Sequence, residues 1–309
     1  MTTDLRKIGW QQPPQVYGRL GALPYIQTQS IPDAPPAITF SRDGTRAAVV
    51  MWIYVTLHGF VDGILTPPLS SYEIQGSDGT YGLVFTPDGS RLVVTNTYSS
   101  TLQVLGIAGD TITHQATYGS SGAGDGQFNM AFGIAINGDG TRIVTAESNG
   151  ARIQVFGLDG STITHQVTYN GTGSAPGVFT SASGVAINRE GTLIAISELH
   201  AHRIRLLGIS GNTITHYTSY GSFGTGDTQL HYPMDVAFSP DGKYLAIADA
   251  YHNRIQIVAV NGLSLTYVMN YGSGGAGVGQ FNVPYGANFS PCGQFIGVAD
   301  RGNGRVCII

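Results

Sequence analysis

The sequence predicts an all-β protein, a six-bladed β-propeller made of four-stranded antiparallel blades. The first observation behind this is a turn whose last residue is glycine, repeated every 51 residues at Gly89, Gly140, Gly191, Gly242 and Gly293. A related turn ending at Gly44 precedes them by 45 residues. The second observation is that every interval contains short apolar runs bounded by Gly, Asp and Pro, which are typical of strands. A fixed period of this length indicates one repeated structural unit.

Each repeat contains four strand-like runs in the same order. In the third repeat the first run (133–136) precedes the turn, the second (142–146) follows it, and the third (152–156) begins at an arginine. These three runs are apolar on both alternating faces, so both faces of each sheet should be covered. The fourth run, such as 111–118, alternates polar with apolar residues and suits an outer edge. Radially arranged sheets of four strands describe propeller blades.

The last repeat ends at Ile309 after its third run and therefore leaves a strand edge that must be covered. Residues 11–18 resemble the end of a fourth run (115–119), and we predict that they supply the missing outer strand. The expected organisation is an N-terminal arm, 1–35, that includes this closing strand, followed by the propeller, 36–309. In the first blade, residues 49–55 fit either one bent strand or two.

Composition excludes several classes of protein. Charged residues make up only 11% of the 309 residues, with a net charge of -4, against roughly 25% in an ordinary domain. The chain has two lysines and no basic run, so we expect no nucleic-acid partner. Its longest apolar run, 47–57, is about half of the ~20 residues that a membrane span needs, and no signal peptide is evident. We expect a cytoplasmic protein, or one assembled into a particle, without membrane insertion.

Acidic residues and arginines recur with the same 51-residue period. A side chain needed once for chemistry would not be present in every blade, whereas a structural ion pair would be, because buried charges persist when they are partnered. We therefore predict structural inter-blade pairs and no catalytic residue among them. The members are Glu147, Arg152, Glu198, Arg203, Asp249, Arg254, Asp300 and Arg305. Blade one has Met51 at the acidic position and should lack the pair.

Four histidines lie in connections that a propeller places on one face. His200 and His202 follow the second strand of blade four, His252 follows that of blade five, and His231 lies in the connection entering blade five. Neutral imidazoles suit zinc or copper, so these four residues are candidate metal ligands. Solvent-exposed loop histidines are the simpler interpretation. The sequence accordingly predicts no cofactor, with zinc as the alternative.

Several segments resemble the NHL repeat, namely residues 122–128, 133–136, 139–140, 152–156 and 275–284. Residues 240–245 resemble the YVTN-type propeller repeat. The resemblance covers roughly residues 80–309 and implies a six-bladed propeller. The family includes binding modules, sensors, lyases and hydrolases, so the resemblance implies no single activity. The amidating lyases, which resemble NHL propellers, use a histidine-bound zinc on the face described above.

Glycine-rich connections (119–130, 170–181, 221–232 and 272–283) cross that same face. The residues near them make it the best candidate binding surface, and they are Phe132, Tyr251, Tyr285 and Asn303. We predict a non-catalytic binding or assembly propeller with a protein partner. Its low charge suits a structural subunit packed into a larger particle such as a virion. The alternative is a metal-dependent lyase or hydrolase with its site at the central pore of this face.

Overall fold

A computed structural model describes residues 27–30, 34–76, 79–170 and 179–309. These residues form six four-stranded antiparallel sheets arranged as a propeller, which confirms the predicted fold class. Regular helix within the described ranges is limited to two 3-10 turns, Ala250–His252 and Arg301–Asn303. No helix among these residues is long and apolar enough to cross a membrane.

Strand β1 (Gln27–Ser30) belongs to the last blade, and the other blade strands follow in chain order from the inside outwards. Blade one contains β2 (Ala37–Phe40), β3 (Arg46–Met51), β4 (Tyr54–Val61) and β5 (Ile64–Glu73). Blade two contains β6 (Thr80–Phe85), β7 (Arg91–Asn96), β8 (Thr101–Ala108) and β9 (Thr111–Tyr118). A short parallel pair, β10 (Ser120–Ser121) and β11 (Gln127–Phe128), lies in the next connection. Blade three contains β12 (Ala131–Ile136), β13 (Arg142–Glu147), β14 (Arg152–Asp159) and β15 (Thr162–Tyr169).

The second half of the ring repeats this plan. Blade four contains β16 (Ala182–Ile187), β17 (Leu193–Glu198), β18 (Arg203–Ser210) and β19 (Thr213–Tyr220). Blade five contains β20 (Pro233–Phe238), β21 (Tyr244–Asp249), β22 (Arg254–Asn261) and β23 (Ser264–Tyr271). A second parallel pair follows, β24 (Ser273–Gly274) and β25 (Gln280–Phe281). Blade six contains β26 (Pro284–Phe289), β27 (Ile296–Asp300) and β28 (Arg305–Ile308).

The ring closes where β1 pairs antiparallel with β28, from Gln27 opposite Ile308 to Ser30 opposite Arg305. An N-terminal strand thus completes the last blade, as predicted, but that strand is Gln27–Ser30. Residues 11–18, which the sequence analysis assigned to it, lie outside the described residues. The error has a physical cause: outer strands face solvent on one side, so their polar alternation specifies position weakly.

Blade one contains two strands where the sequence left two alternatives. Strand β3 ends at Met51 and β4 begins at Tyr54, so residues 49–55 are split by a tight hairpin. Trp52 adopts a φ of 47° in this hairpin, a left-handed conformation that an ordinary strand residue avoids. The hairpin lies at one end of the blade.

The inner strands surround a central channel and approach each other closely. A Cβ atom on Gly82 would lie 2.4 Å from the carbonyl oxygen of Phe132, and one on Gly133 would lie 2.6 Å from that of Ser183. Glycine is therefore required at this repeat position in those blades. The channel has a volume of about 390 Å³ and is lined by residues of all six blades.

Candidate functional site

The end of the propeller where second strands finish and third strands begin is called the loop face here. The connections entering the inner strands reach the same end, because each inner strand runs antiparallel to its second strand. All four predicted metal ligands and all four predicted binding residues belong to these connections or to the adjoining strand ends. The loop face is therefore where the candidate residues can be compared.

The four periodic ion pairs form, and they share one geometry. The distances from the arginine Nε to the nearest carboxylate oxygen are 3.0 Å for Glu147–Arg152, 2.5 Å for Glu198–Arg203, 2.7 Å for Asp249–Arg254 and 2.6 Å for Asp300–Arg305. Each pair joins the second and third strands of a single blade. The prediction of inter-blade pairs is wrong in this respect, because the two residues face each other across one hairpin.

The pairs nevertheless attach each blade to the connection that enters it. Arg152 donates from Nη2 to the carbonyl of Gln127 at 2.7 Å, and Glu147 accepts the Asn129 N–H at 2.8 Å. Asp300 and Arg305 make the equivalent contacts with Asn282 and Gln280. The carboxylates are fully buried and their hydrogen bonds are used within the loop. The acids of these pairs therefore hold the incoming connection to the blade.

Blade four differs by having a second arginine on its carboxylate. Arg205 donates to Glu198 over 2.6 Å, and its guanidinium also lies 4.9 Å from the centre of the Phe179 ring. Sequence reasoning missed Arg205. The signal was present, since the same repeat position holds glutamine in its neighbours, at Gln154 and Gln256.

The structure brings the four predicted histidines together with aromatic rings. The ring centre of His231 is 5.6 Å from that of His202 and 5.5 Å from that of His252. The His200 ring lies 5.6 Å from the ring of Tyr232, which itself lies 4.8 Å from that of His202. Residues from three separate connections thus form one cluster, named the histidine cluster.

Two nitrogen atoms of this cluster are engaged with the protein. His202 accepts the backbone N–H of Tyr232 at Nδ1 (3.1 Å), and Nδ1 of His252 lies 2.7 Å from Oδ2 of Asp249. Burial, followed by the neighbouring His231 and His200, lowers the pKa of His202, which favours a neutral, stacked ring. No set of three or more His, Cys, Asp or Glu side chains in the described ranges is arranged to hold a metal ion.

A second group of rings begins at the channel mouth, which Phe132 and Tyr81 line. Phe132 packs on Tyr81 with ring centres 4.5 Å apart, and Tyr81 lies 6.2 Å from Tyr98. Burial, with a smaller contribution from Tyr98, raises the pKa of Tyr81 to about 12, so this phenol stays protonated. Trp52 extends the group, 6.4 Å from Tyr98. The four rings form a continuous arc from blade one to blade three.

Sequence reasoning found Phe132 of this arc, and it also found Tyr285, which lies in blade six. The 51-residue period could have identified Tyr81, which occupies the same repeat position. Tyr285 lies under the guanidinium of Arg301, 4.2 Å from its ring centre. The amide of Asn303, the fourth predicted binding residue, donates to Asp300 (2.8 Å) and to the carbonyl of Gly275 (2.9 Å).

Asp235 is an acid in the channel wall that sequence reasoning also missed. Its repeat position holds glycine in four other blades, at Gly82, Gly133, Gly184 and Gly286. One carboxylate oxygen accepts the N–H of Ala287 at 3.2 Å. Burial raises the pKa of this carboxyl to about 7, which outweighs the backbone hydrogen bonds that favour ionisation. The departure of one repeat from glycine was the available signal.

No protein-family model matches the chain, and no curated protein matches its sequence significantly. Solved structures do match its fold. The chain is a β-propeller. It is similar to Kuenenia stuttgartiensis hydrazine synthase, with a TM-score of 0.61 and 15% identity over 96% of this chain and 99% of the other. It is also similar to a "putative 6-phosphogluconolactonase" from Bacteroides uniformis, with a TM-score of 0.57 and 14% identity over 73% of this chain and 67% of the other.

At these identities the likeness of the propeller to its structural neighbours concerns the fold alone. Both neighbours bear the names of enzymes, whereas β-propellers as a class also include binding and structural proteins. Membership of the NHL-repeat family stays a prediction, carried by the motifs in the sequence.

Proposed function

We propose that this propeller is a non-catalytic binding and assembly protein that holds a protein partner on its loop face. The observation that carries the proposal is the exposure of four aromatic side chains on this face. Trp52 is 48% exposed, Tyr98 46%, Phe223 63% and Tyr251 55%. The turns at the opposite end expose only the aliphatic Val61, Ile64 and Leu263 among large hydrophobic residues of the described chain.

Exposed rings of this kind favour a protein ligand. Aromatic side chains bury a large area while losing few rotamers, and they dominate the binding energy of many protein interfaces. The rings are also held in place before binding, since Tyr251 lies 4.8 Å from Tyr232 and Trp52 contacts Tyr98. Prior ordering of this kind reduces the entropic cost of association.

The charge distribution supports close packing against a neighbour. Charged side chains are scarce, and the periodic acids of the loop face are buried in ion pairs. A surface with few free charges loses little solvation when it is covered. We therefore extend the proposal to a structural subunit of a larger particle such as a virion, in which further copies of this chain cover the loop face.

Light scattering on the purified chain over a concentration series tests this proposal. We expect association that increases with concentration. It should be abolished by the combined substitutions Trp52→Ser, Tyr98→Ser, Phe223→Ser and Tyr251→Ser. The matched control replaces Val61, Ile64 and Leu263 with Ser at the opposite end and should associate like the unchanged chain. A chain that stays monomeric at every concentration, or equal association of both variants, would contradict the proposal.

The alternative function is that of a metal-dependent lyase or hydrolase. Elemental analysis of the purified protein distinguishes it from a binding and assembly role. Binding and assembly require no metal. Zinc, copper or calcium present in a 1:1 ratio, and lost on replacing His231 with Gln, would favour the enzyme. The approach of His202, His231 and His252 makes this cluster the place to test.

A further inference from the structure

We infer that the mouth of the central channel on the loop face binds a small organic carboxylate with an aromatic or apolar body, and that Arg301 holds the carboxylate group. This inference goes beyond the proposed function, since the ligand is a small molecule inside the ring rather than a protein covering it. It rests on Arg301, on the rings beside it and on the charges of the channel.

Arg301 differs from the other arginines of the loop face. Arg152, Arg203, Arg254 and Arg305 each donate to a buried carboxylate. Among the residues that the structure describes, the Arg301 guanidinium has neither a carboxylate partner nor a hydrogen-bond acceptor, and its contacts are with rings. Its position on the Tyr285 ring leaves the N–H edges available. A guanidinium fixed by stacking, with its edge free, has the geometry that carboxylates bind in pairs of hydrogen bonds.

The contacts of Arg301 place it beside the channel mouth. Its guanidinium lies 4.2 Å from the ring centre of Tyr285 in blade six and 6.0 Å from that of Tyr81 in blade two. Both rings line the channel, and blade one between them contributes Pro36 to the lining. The guanidinium therefore reaches from blade six towards blade two, across the narrow end of blade one.

The channel offers a compartment of suitable size with aromatic rings at its mouth. Tyr81, Phe132 and Tyr285 line the mouth, and the half-buried aliphatic residues Val84 and Ile136 belong to the lining as well. Its volume of about 390 Å³ falls within the range of roughly 300–1,000 Å³ typical of small-molecule sites. The body of a ligand held at Arg301 would contact the aromatic rings and exclude water from them.

The charges around the channel favour an anion. Arg42 and Arg189 line the opposite end, and Asp235 is the sole acid among the lining residues. Since burial raises the pKa of Asp235 to about 7, part of this carboxyl population is neutral near that pH. Walls of low dielectric focus the remaining positive potential into the channel. An uncharged analogue of the ligand would gain nothing from this potential.

The experiment titrates the full chain with 3-phenylpropionate and with its uncharged amide, 3-phenylpropionamide, by isothermal calorimetry. We expect saturable binding of the carboxylate and binding of the amide at least about tenfold weaker, which corresponds to ~1.4 kcal/mol. Arg301→Gln should weaken binding of the carboxylate by about tenfold or more and leave the affinity for the amide unchanged. Arg142→Gln, at the start of β13 and outside the channel lining, is the matched control and should change carboxylate affinity by less than about twofold.

Thermal denaturation of each variant checks folding. Arg301→Gln should melt like the unchanged chain, because the side chain makes ring contacts at the surface rather than buried ion pairs. The inference is overturned if the carboxylate shows no saturable binding up to about 10 mM, if the amide binds equally well, or if Arg301→Gln binds the carboxylate normally. Light scattering reads assembly separately, so the failure of this inference and of the proposed function can be distinguished.

Discussion

Glu198 and Arg205 form an ion pair of 2.6 Å in which both side chains are buried inside blade four. Burying two charges costs desolvation free energy. Removing one partner destabilises the fold more, because the other charge then stays buried without compensation. Glu198 is shared with Arg203, so the two arginines and the acid form a unit. Because the unit has one acid and two arginines, replacing the acid and replacing one arginine should destabilise the protein by different amounts.

Glu198→Gln should destabilise the protein by about 3–5 kcal/mol, because it leaves two arginines facing a neutral amide. Arg205→Gln should cost only about 1–2 kcal/mol, since Glu198 keeps Arg203 and glutamine already occupies this position in neighbouring blades. Urea unfolding measures both values. Glu73→Gln, at an exposed position on the end of β5, is the control and should be close to neutral. Equal losses for the two blade-four variants would refute the shared-acid explanation.

Arg152→Lys tests the attachment of a blade to its incoming connection. Arg152 bonds Glu147 and the carbonyl of Gln127 at once, which a single ammonium group cannot reproduce. We expect a loss of about 2 kcal/mol, together with faster hydrogen exchange of the Gln127 amide. Arg142→Lys, at the start of β13, serves as the control with little expected change. Unaltered exchange at Gln127 in the Arg152 variant would show that the contact does not hold the connection.

Two truncations test the closure of the ring. Deleting residues 1–30 removes β1 and exposes the outer edge of β28, so the melting temperature should fall and the chain should self-associate through that edge. Deleting residues 1–20 keeps β1 and should preserve the melting temperature. Differential scanning calorimetry with light scattering gives both readouts. If the shorter deletion already destabilises the protein, a segment before residue 21 also contributes to closure.

Asp235→Asn should remove a pH dependence of stability. The folded pKa of about 7 lies above the ordinary value of 3.8, so between these values the folded state keeps a proton that the unfolded chain releases. Stability therefore decreases as the pH rises through this window and is lowest above it. The basic side chains that line the same channel are Arg42 and Arg189. Above pH 7 the Asn variant should be more stable by about 2–4 kcal/mol.

Chemical unfolding at several pH values between about 4 and 8 measures this difference. Asp62→Asn is the control, because Asp62 is exposed in a turn with a φ of 51° that asparagine also tolerates. The control should follow the pH profile of the unchanged chain. Parallel profiles for Asp235→Asn and the unchanged chain would show that this carboxyl is ionised normally.

Much of the architecture was predictable from the sequence. The 51-residue period determined the number of blades, and the alternation of apolar runs with glycine turns determined four strands in each. The period also predicted the acid–arginine pairs, although not that each pair spans one hairpin. Local repetition is visible in a sequence because every blade must satisfy the same packing and hydrogen-bonding requirements.

The tertiary structure alone decided which residues meet across the ring. Arg301 and Tyr81 come from blades six and two, and Gln27–Ser30 meets the far end of the chain at Arg305–Ile308. Neither approach follows from the repeat, because a period specifies how one blade resembles the next and not which side chains converge at the axis. Asp235 shows the same limit: its sequence position marks an exception, but burial in the channel wall determines its pKa.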